Sequence, residues 1–156
     1  MRVPTQSESL EQDWNWHLKN AVRDLNRLAR ELEISLNDFK SDFPLLVPLP
    51  YLNRIQKRNL NDPLLLQVLP KAEEDTEVSG YTLDPLQEQK PKNLPKGIIQ
   101  KYHRRALIVA ATACSINCRY CFRRHFPYDQ SRLDQKKWQD LLKHLSLDKT
   151  LREVIF

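Results

Sequence analysis

"ATACSINCRYCFRRHFPY", Ala111 to Tyr128, holds all three cysteines of the chain: Cys114, Cys118 and Cys121. It follows "RALIVAATA", Arg105 to Ala113, an apolar run of strand length without polar alternation through Val109. A strand buried on both faces, as in a parallel sheet, reads this way. After the cysteines comes "LDQKKWQDLLKHL", with Trp138, Leu141, Leu142 and Leu145 at i, i+3, i+4 and i+7, the spacing of one apolar helix face. "REVIF" then opens a second apolar run that reaches Phe156. Strand, loop, helix and strand in that order predict a βαβ unit, hence an α/β fold, with the cysteines in the loop after the first strand. In parallel sheets and (β/α) barrels that loop is where ligands sit.

Upstream the texture differs. Leu18, Ala21, Val22, Leu25, Leu28, Ala29 and Leu32 recur at spacings of three and four, which predicts one amphipathic helix from Trp14 to Leu32. Pro44, Pro48 and Pro50 predict an extended connection, with a short helix ahead of it. "NDPLLLQVLP" predicts a short helix with Asp62 at the N-cap, Pro63 at the first helical position and Pro70 beyond its end. Residues 71–97 are polar and turn-rich. The expected division is a helical and extended wrapping region over 1–97, then a sheet region over 98–156 with the cysteine loop at 114–121.

Bulk properties narrow the classes. With 156 residues, 29% charged and 40% hydrophobic, the chain has the composition of a globular protein. No apolar run approaches the roughly 20 residues of a membrane span, and the N-terminal stretch lacks the apolar core of a secretory signal. The expected compartment is the cytoplasm, where thiols stay reduced. Glycine is scarce, at two residues against ten prolines. The net charge of +5 is concentrated: from Gln89 to Tyr128 there is no Asp or Glu and there are nine Lys and Arg, while the rest of the chain is net negative. Such a window attracts anions.

Three chemistries fit C-x3-C-x2-C. A disulfide leaves one thiol over and needs an oxidising compartment. Zinc wants four ligands, and His125 would complete a Cys3His set, although zinc ligand pairs usually come from separated segments. A zinc-stabilised basic module that binds nucleic acid is the function this alternative carries. An iron–sulfur cube takes four thiolates when fully ligated by protein. Three leave one iron open to a small chelating molecule, and nearby cations suit an anionic cluster.

The third chemistry gains from a resemblance. The loop, with Tyr120 just before the last cysteine, resembles that of the radical S-adenosylmethionine superfamily. "DPLLLQVLP", "DPLQEQ", "KYHRRALIV", "CRYCFRRHFPY" and "LREVIF", in this order, resemble the lysine 2,3-aminomutase family. The wording is most similar to the branch that supplies β-lysine for modifying elongation factor P. The resemblance implies a [4Fe-4S] cluster on Cys114, Cys118 and Cys121, and S-adenosylmethionine with its adenine beside Tyr120. It implies pyridoxal phosphate near Tyr102 with its phosphate on Arg105, and Arg123 gripping the carboxylate of lysine. It also implies an electron donor such as flavodoxin or ferredoxin, a homo-oligomer, and no nucleic acid or membrane partner. The family's glycine-rich turn, its cofactor-anchoring lysine and its acidic substrate-selecting groups have no counterpart among these residues. The expectation is therefore an N-terminal portion of a (β/α) radical enzyme, cut within its first βαβ unit and not competent alone.

Overall fold

A computed structural model describes residues 13–36, 41–88 and 93–156. Packing divides the chain into two compact units that do not follow chain order. One is Met1–Val78 with Ser115–Cys121; the other is Ser79–Cys114 with Phe122–Phe156. Most of the cysteine loop thus packs with the N-terminal helices.

In the first unit, the helix expected over Trp14 to Leu32 is two helices, α1 (Trp14–Asn20) and α2 (Leu25–Leu32). The chain turns extended at Ala21, and Val22 forms an antiparallel bridge with Val47, exchanging hydrogen bonds of 2.8 and 2.9 Å. Asp24 then recaps the chain, its carboxylate accepting from the Arg27 N–H at 2.7 Å. The apolar period runs unbroken through the gap because Ala21 and Val22 are buried in either geometry. A long-range backbone pairing overrides local periodicity. The short helix expected ahead of the prolines falls partly on 37–40, outside the described residues. Pro48 and Pro50 confine the next helix, α3, to Leu49–Leu52.

Helix α4 (Pro63–Leu66) has the expected cap: Asp62 Oδ1 accepts from the Leu64 and Leu65 N–H groups at 2.8 and 3.0 Å. Its Oδ2 accepts from the Gln56 N–H at 3.1 Å, so one buried carboxylate ties two segments together. A 3-10 turn follows at Ala72–Asp75. Val22, Leu28, Leu32, Val47, Leu52, Leu65 and Val68 form the core, against which Ile116 of the cysteine loop packs.

The second unit is built on a three-stranded sheet in the order β1 (Ile98–Ile99), β2 (Arg105–Ile108), β3 (Glu153–Ile155). The short α5 (Tyr128–Ser131) and the 13-residue α6 (Gln135–Leu147) lie between β2 and β3. β2 and β3 are parallel, Arg105 facing Glu153 and Leu107 facing Ile155, so the strand–helix–strand order read from sequence is realised. β1, which pairs antiparallel with β2, had no local signal: two residues carry no period. Gly97, just before β1, has φ +87°, and a Cβ there would stand 2.6 Å from Leu133 Cδ2. The positive φ is what favours glycine at position 97, and a Cβ there would also displace the end of the Leu133 side chain.

Alternation gives the sheet two different faces. Ile98, Ala106 and Ile108 point to one, where they pack with Leu141 of α6. Arg105 and Leu107, with Ile99 and Ile155 as register partners of Leu107, belong to the other. β2 is thus fully buried on one face only, since Leu107 is half-buried and Arg105 exposed, against the expectation of two buried faces. No helix among the described residues is long and apolar enough to cross a membrane.

The Asp62 carboxyl lies below its usual value of 3.8, chiefly through the Leu65 N–H bond and further through those of Gln56 and Leu64. A depressed carboxyl stabilises the fold above its unfolded value and loses that contribution as pH falls through the folded one. Melting of the first unit should hold steady from pH 7 to about 4 and weaken below. Asp62→Ala should lower the midpoint at pH 7 by about 5 °C, and Asp62→Asn should flatten the acid limb. Calorimetry across pH tests both.

Candidate functional site

The cysteine loop is held by Arg119 and Asn117. The Arg119 side chain is only 7% exposed and forms an ion pair with Glu74, itself 14% exposed. Its Nε donates to Glu74 Oε1 at 2.9 Å and its Nη2 to Glu74 Oε2; Nη1 donates to the Phe43 carbonyl at 2.9 Å and Nη2 to Ser41 Oγ at 2.7 Å. The guanidinium lies 5.1 Å from the Phe43 ring centroid. Glu74 Oε1 also accepts from the Lys71 N–H, so the 3-10 turn sets the carboxylate's direction. The loop backbone is fixed too: the Asn117 N–H donates to Leu46 O at 3.1 Å and the Arg119 N–H to Gln67 O at 2.8 Å. Asn117 Nδ2 donates to Pro44 O at 3.0 Å. A cation that sequence reading placed in a basic window is thus a buried anchor. Its partner is 45 residues away, beyond the reach of any local spacing signal.

This anchored segment carries two of the three thiols. The Cys121 N–H donates to the Cys118 carbonyl at 3.1 Å, closing a tight turn. Tyr120, between them, is 70% exposed, and its hydroxyl donates to Gln67 Oε1 at 3.2 Å. The Tyr51 hydroxyl donates to Leu64 O at 3.0 Å. Burial first, then Tyr120, Asp62 and Cys118, pushes the Tyr51 hydroxyl above its ordinary value, so it stays a proton donor near Cys118.

All three cysteines are free; Cys114, in the other unit, is exposed and the other two half-buried. Among the described residues no three His, Cys, Asp or Glu side chains are grouped as a metal site. The donor set nonetheless fits a cluster: three unpaired thiols, with no carboxylate between Cys114 and Cys121 to compete for the metal. Ligation of such a set is completed by the metal itself.

A second site lies wholly in the other unit. The open sheet face, with Ile99, Leu107 and Ile155, forms the apolar side of a cavity of about 220 Å³. Lys101, Tyr102, Arg105, Arg123, Leu86 and Glu88 complete its lining. Tyr102, Arg105 and Arg123, each singled out from sequence, are brought together here. A cationic rim over an apolar side suits an anionic group attached to a flat ring, so these residues fit pyridoxal phosphate. Both arginines have carboxylate partners: Arg105 pairs with Glu153 across the β2–β3 register, and Arg123 with Glu88. Lys101 Nζ lies 5.6 Å from the Tyr102 ring centroid. Sequence reading missed Glu88 and Glu153, which stand 35 and 48 residues from their partners.

No family model matches the chain. It is similar to L-lysine 2,3-aminomutase of Haemophilus influenzae, 38% identical over 164 aligned positions covering 100% of this chain and 48% of that protein. Against the Escherichia coli protein of the same name the identity is 38% over 152 positions, covering 93% and 44%. Against that of Clostridium subterminale it is 29% over 121, covering 73% and 29%. The chain spans about half the length of the first two relatives, or less.

Glu74→Gln should strand a buried guanidinium, at a cost of about 3 kcal/mol. Alkylation of Cys118 and Cys121 should then accelerate while that of Cys114, outside the anchored segment, stays constant. Mass spectrometry of timed alkylation reads all three; equal rates in variant and wild type would remove Arg119 as the anchor.

Proposed function

The chain belongs to the L-lysine 2,3-aminomutase family, and on that premise we propose that it carries the cluster loop and part of the cofactor and substrate pocket of a radical aminomutase. The reaction would convert α-lysine to β-lysine. The observation that carries this reading is the meeting of Tyr102, Arg105 and Arg123 in one cavity, although they come from separate turns and a strand.

When bound, a [4Fe-4S] cluster with S-adenosylmethionine would supply a radical, and pyridoxal phosphate would carry the migrating amino group. Cys114, Cys118 and Cys121 would hold the cluster, and Tyr120 would face the adenine. Arg105 would bind the cofactor phosphate, and Tyr102 would lie beside the ring. The planar guanidinium of Arg123 suits a carboxylate, which it can meet with two parallel hydrogen bonds. Apolar Ile99, Leu107 and Ile155 would shield the ring from water.

The β2–α6–β3 unit is read as the opening of a (β/α) barrel. Use of the product to modify elongation factor P, an external electron donor such as flavodoxin or ferredoxin, and assembly as a homo-oligomer follow the family wording alone. A cytoplasmic location is part of the same reading and would keep Cys114, Cys118 and Cys121 as thiols. The zinc module loses ground on charge: Arg105, Arg119 and Arg123, three cations of the basic window, pair with Glu153, Glu74 and Glu88 from outside it.

Anaerobic incubation with iron and sulfide should give a brown protein with broad visible charge-transfer absorption. Cys118→Ala should abolish the colour and His125→Ala should leave it. Stoichiometric zinc without iron uptake, or loss of the metal in His125→Ala, would refute the cluster.

A further inference from the structure

We propose that Gln67 is the positioning residue for Tyr120, holding the exposed ring by its hydroxyl so that the ring meets the adenine of S-adenosylmethionine already oriented. The inference rests on the reading of Tyr120 as the residue that faces the adenine.

Tyr120 is exposed and sits inside the tight turn that the Cys121 N–H closes on the Cys118 carbonyl. An exposed tyrosine samples several rotamers unless its far end is held. Here the far end is held: the hydroxyl donates to Gln67 Oε1 at 3.2 Å, across 53 residues of sequence. Both residues belong to the first unit.

Gln67 is itself fixed. It follows the last residue of α4 and stands between Leu65 and Val68, both fully buried. Its N–H donates to Leu64 O at 3.3 Å, a carbonyl that also accepts from the Tyr51 hydroxyl at 3.0 Å. Its side-chain amide has one orientation, because Nε2 donates to Pro63 O at 3.2 Å and so leaves Oε1 for the tyrosine. The Gln67 backbone carbonyl accepts from the Arg119 N–H at 2.8 Å. One residue thus grips two successive residues of the cysteine turn, Arg119 through its backbone and Tyr120 through its side chain. In "DPLLLQVLP", Asp62 and Pro63 start the helix and Leu65 and Val68 fill the core; Gln67 does neither. A ring held beforehand loses less rotamer freedom when a flat base stacks on it.

A side-chain substitution at position 67 removes the second grip and leaves the first, which makes the test selective. The chain, reconstituted with iron and sulfide without oxygen and then reduced, is titrated with S-adenosylmethionine and with L-methionine. Methionine carries the same amine and carboxylate but no adenine. The readout is the concentration at which each changes the electron paramagnetic resonance of the cluster. In wild type, S-adenosylmethionine should act at the lower concentration. Gln67→Leu should raise the S-adenosylmethionine concentration needed about threefold and leave that of methionine unchanged, with the melt still cooperative. Tyr120→Phe removes the same bond from the other side and should give the same factor, and the double variant should lose no more than either. If Tyr120→Ala erases the preference for S-adenosylmethionine but Gln67→Leu keeps it whole, or weakens methionine equally, this inference falls and the reading of Tyr120 stands. If Tyr120→Ala keeps the preference, or wild type has none, the reading falls with it.

Discussion

The buried pair of Arg119 and Glu74 is the constraint on which the cysteine loop depends. Loops with few internal hydrogen bonds do not hold a shape by themselves, and Ser115–Cys121 has neither a strand nor a helix of its own. Its shape comes from outside: four Arg119 side-chain bonds, an asparagine that bonds through backbone and side chain, and an isoleucine seated on a core. A buried guanidinium is costly unless every donor finds an acceptor. Here Glu74, Ser41 and the Phe43 carbonyl supply those acceptors together. Two thiols are thereby displayed on a fixed turn.

The second site depends on alternation in the sheet. One face buries Ile98, Ala106 and Ile108 against α6, which leaves Leu107, Ile99 and Ile155 to form the apolar side of a cavity. The charged residues around it are placed by strand register, as Arg105 is by Glu153, or by turns, as Arg123 is by Glu88. Each arginine that the functional reading uses has a carboxylate that fixes it. Cation density in the sequence therefore overstates the positive charge the window presents.

The parts legible in the sequence were those with a local rule. Asp62 and Pro63 announce a helix start because capping acts within three residues. The helix over 135–147 shows its apolar face through Trp138, Leu141 and Leu145, while Leu142, expected on the same face, is exposed. The cysteine spacing narrows the chemistry before any fold is known. The break at Ala21 and Val22 was illegible because it is imposed by Val47, 25 residues on, without disturbing the apolar period. The roles of Glu74, Glu88 and Glu153 were equally hidden, since an ion pair across tens of residues leaves no pattern around either partner.

The most direct test of the account is electron paramagnetic resonance of the chain, reconstituted without oxygen, reduced, and measured before and after addition of S-adenosylmethionine. Three thiolates leave one iron of a cube without a protein ligand, so the spectrum of the reduced cluster should change on addition. A cluster whose spectrum ignores the addition, or a chain that takes up no iron, would contradict the account.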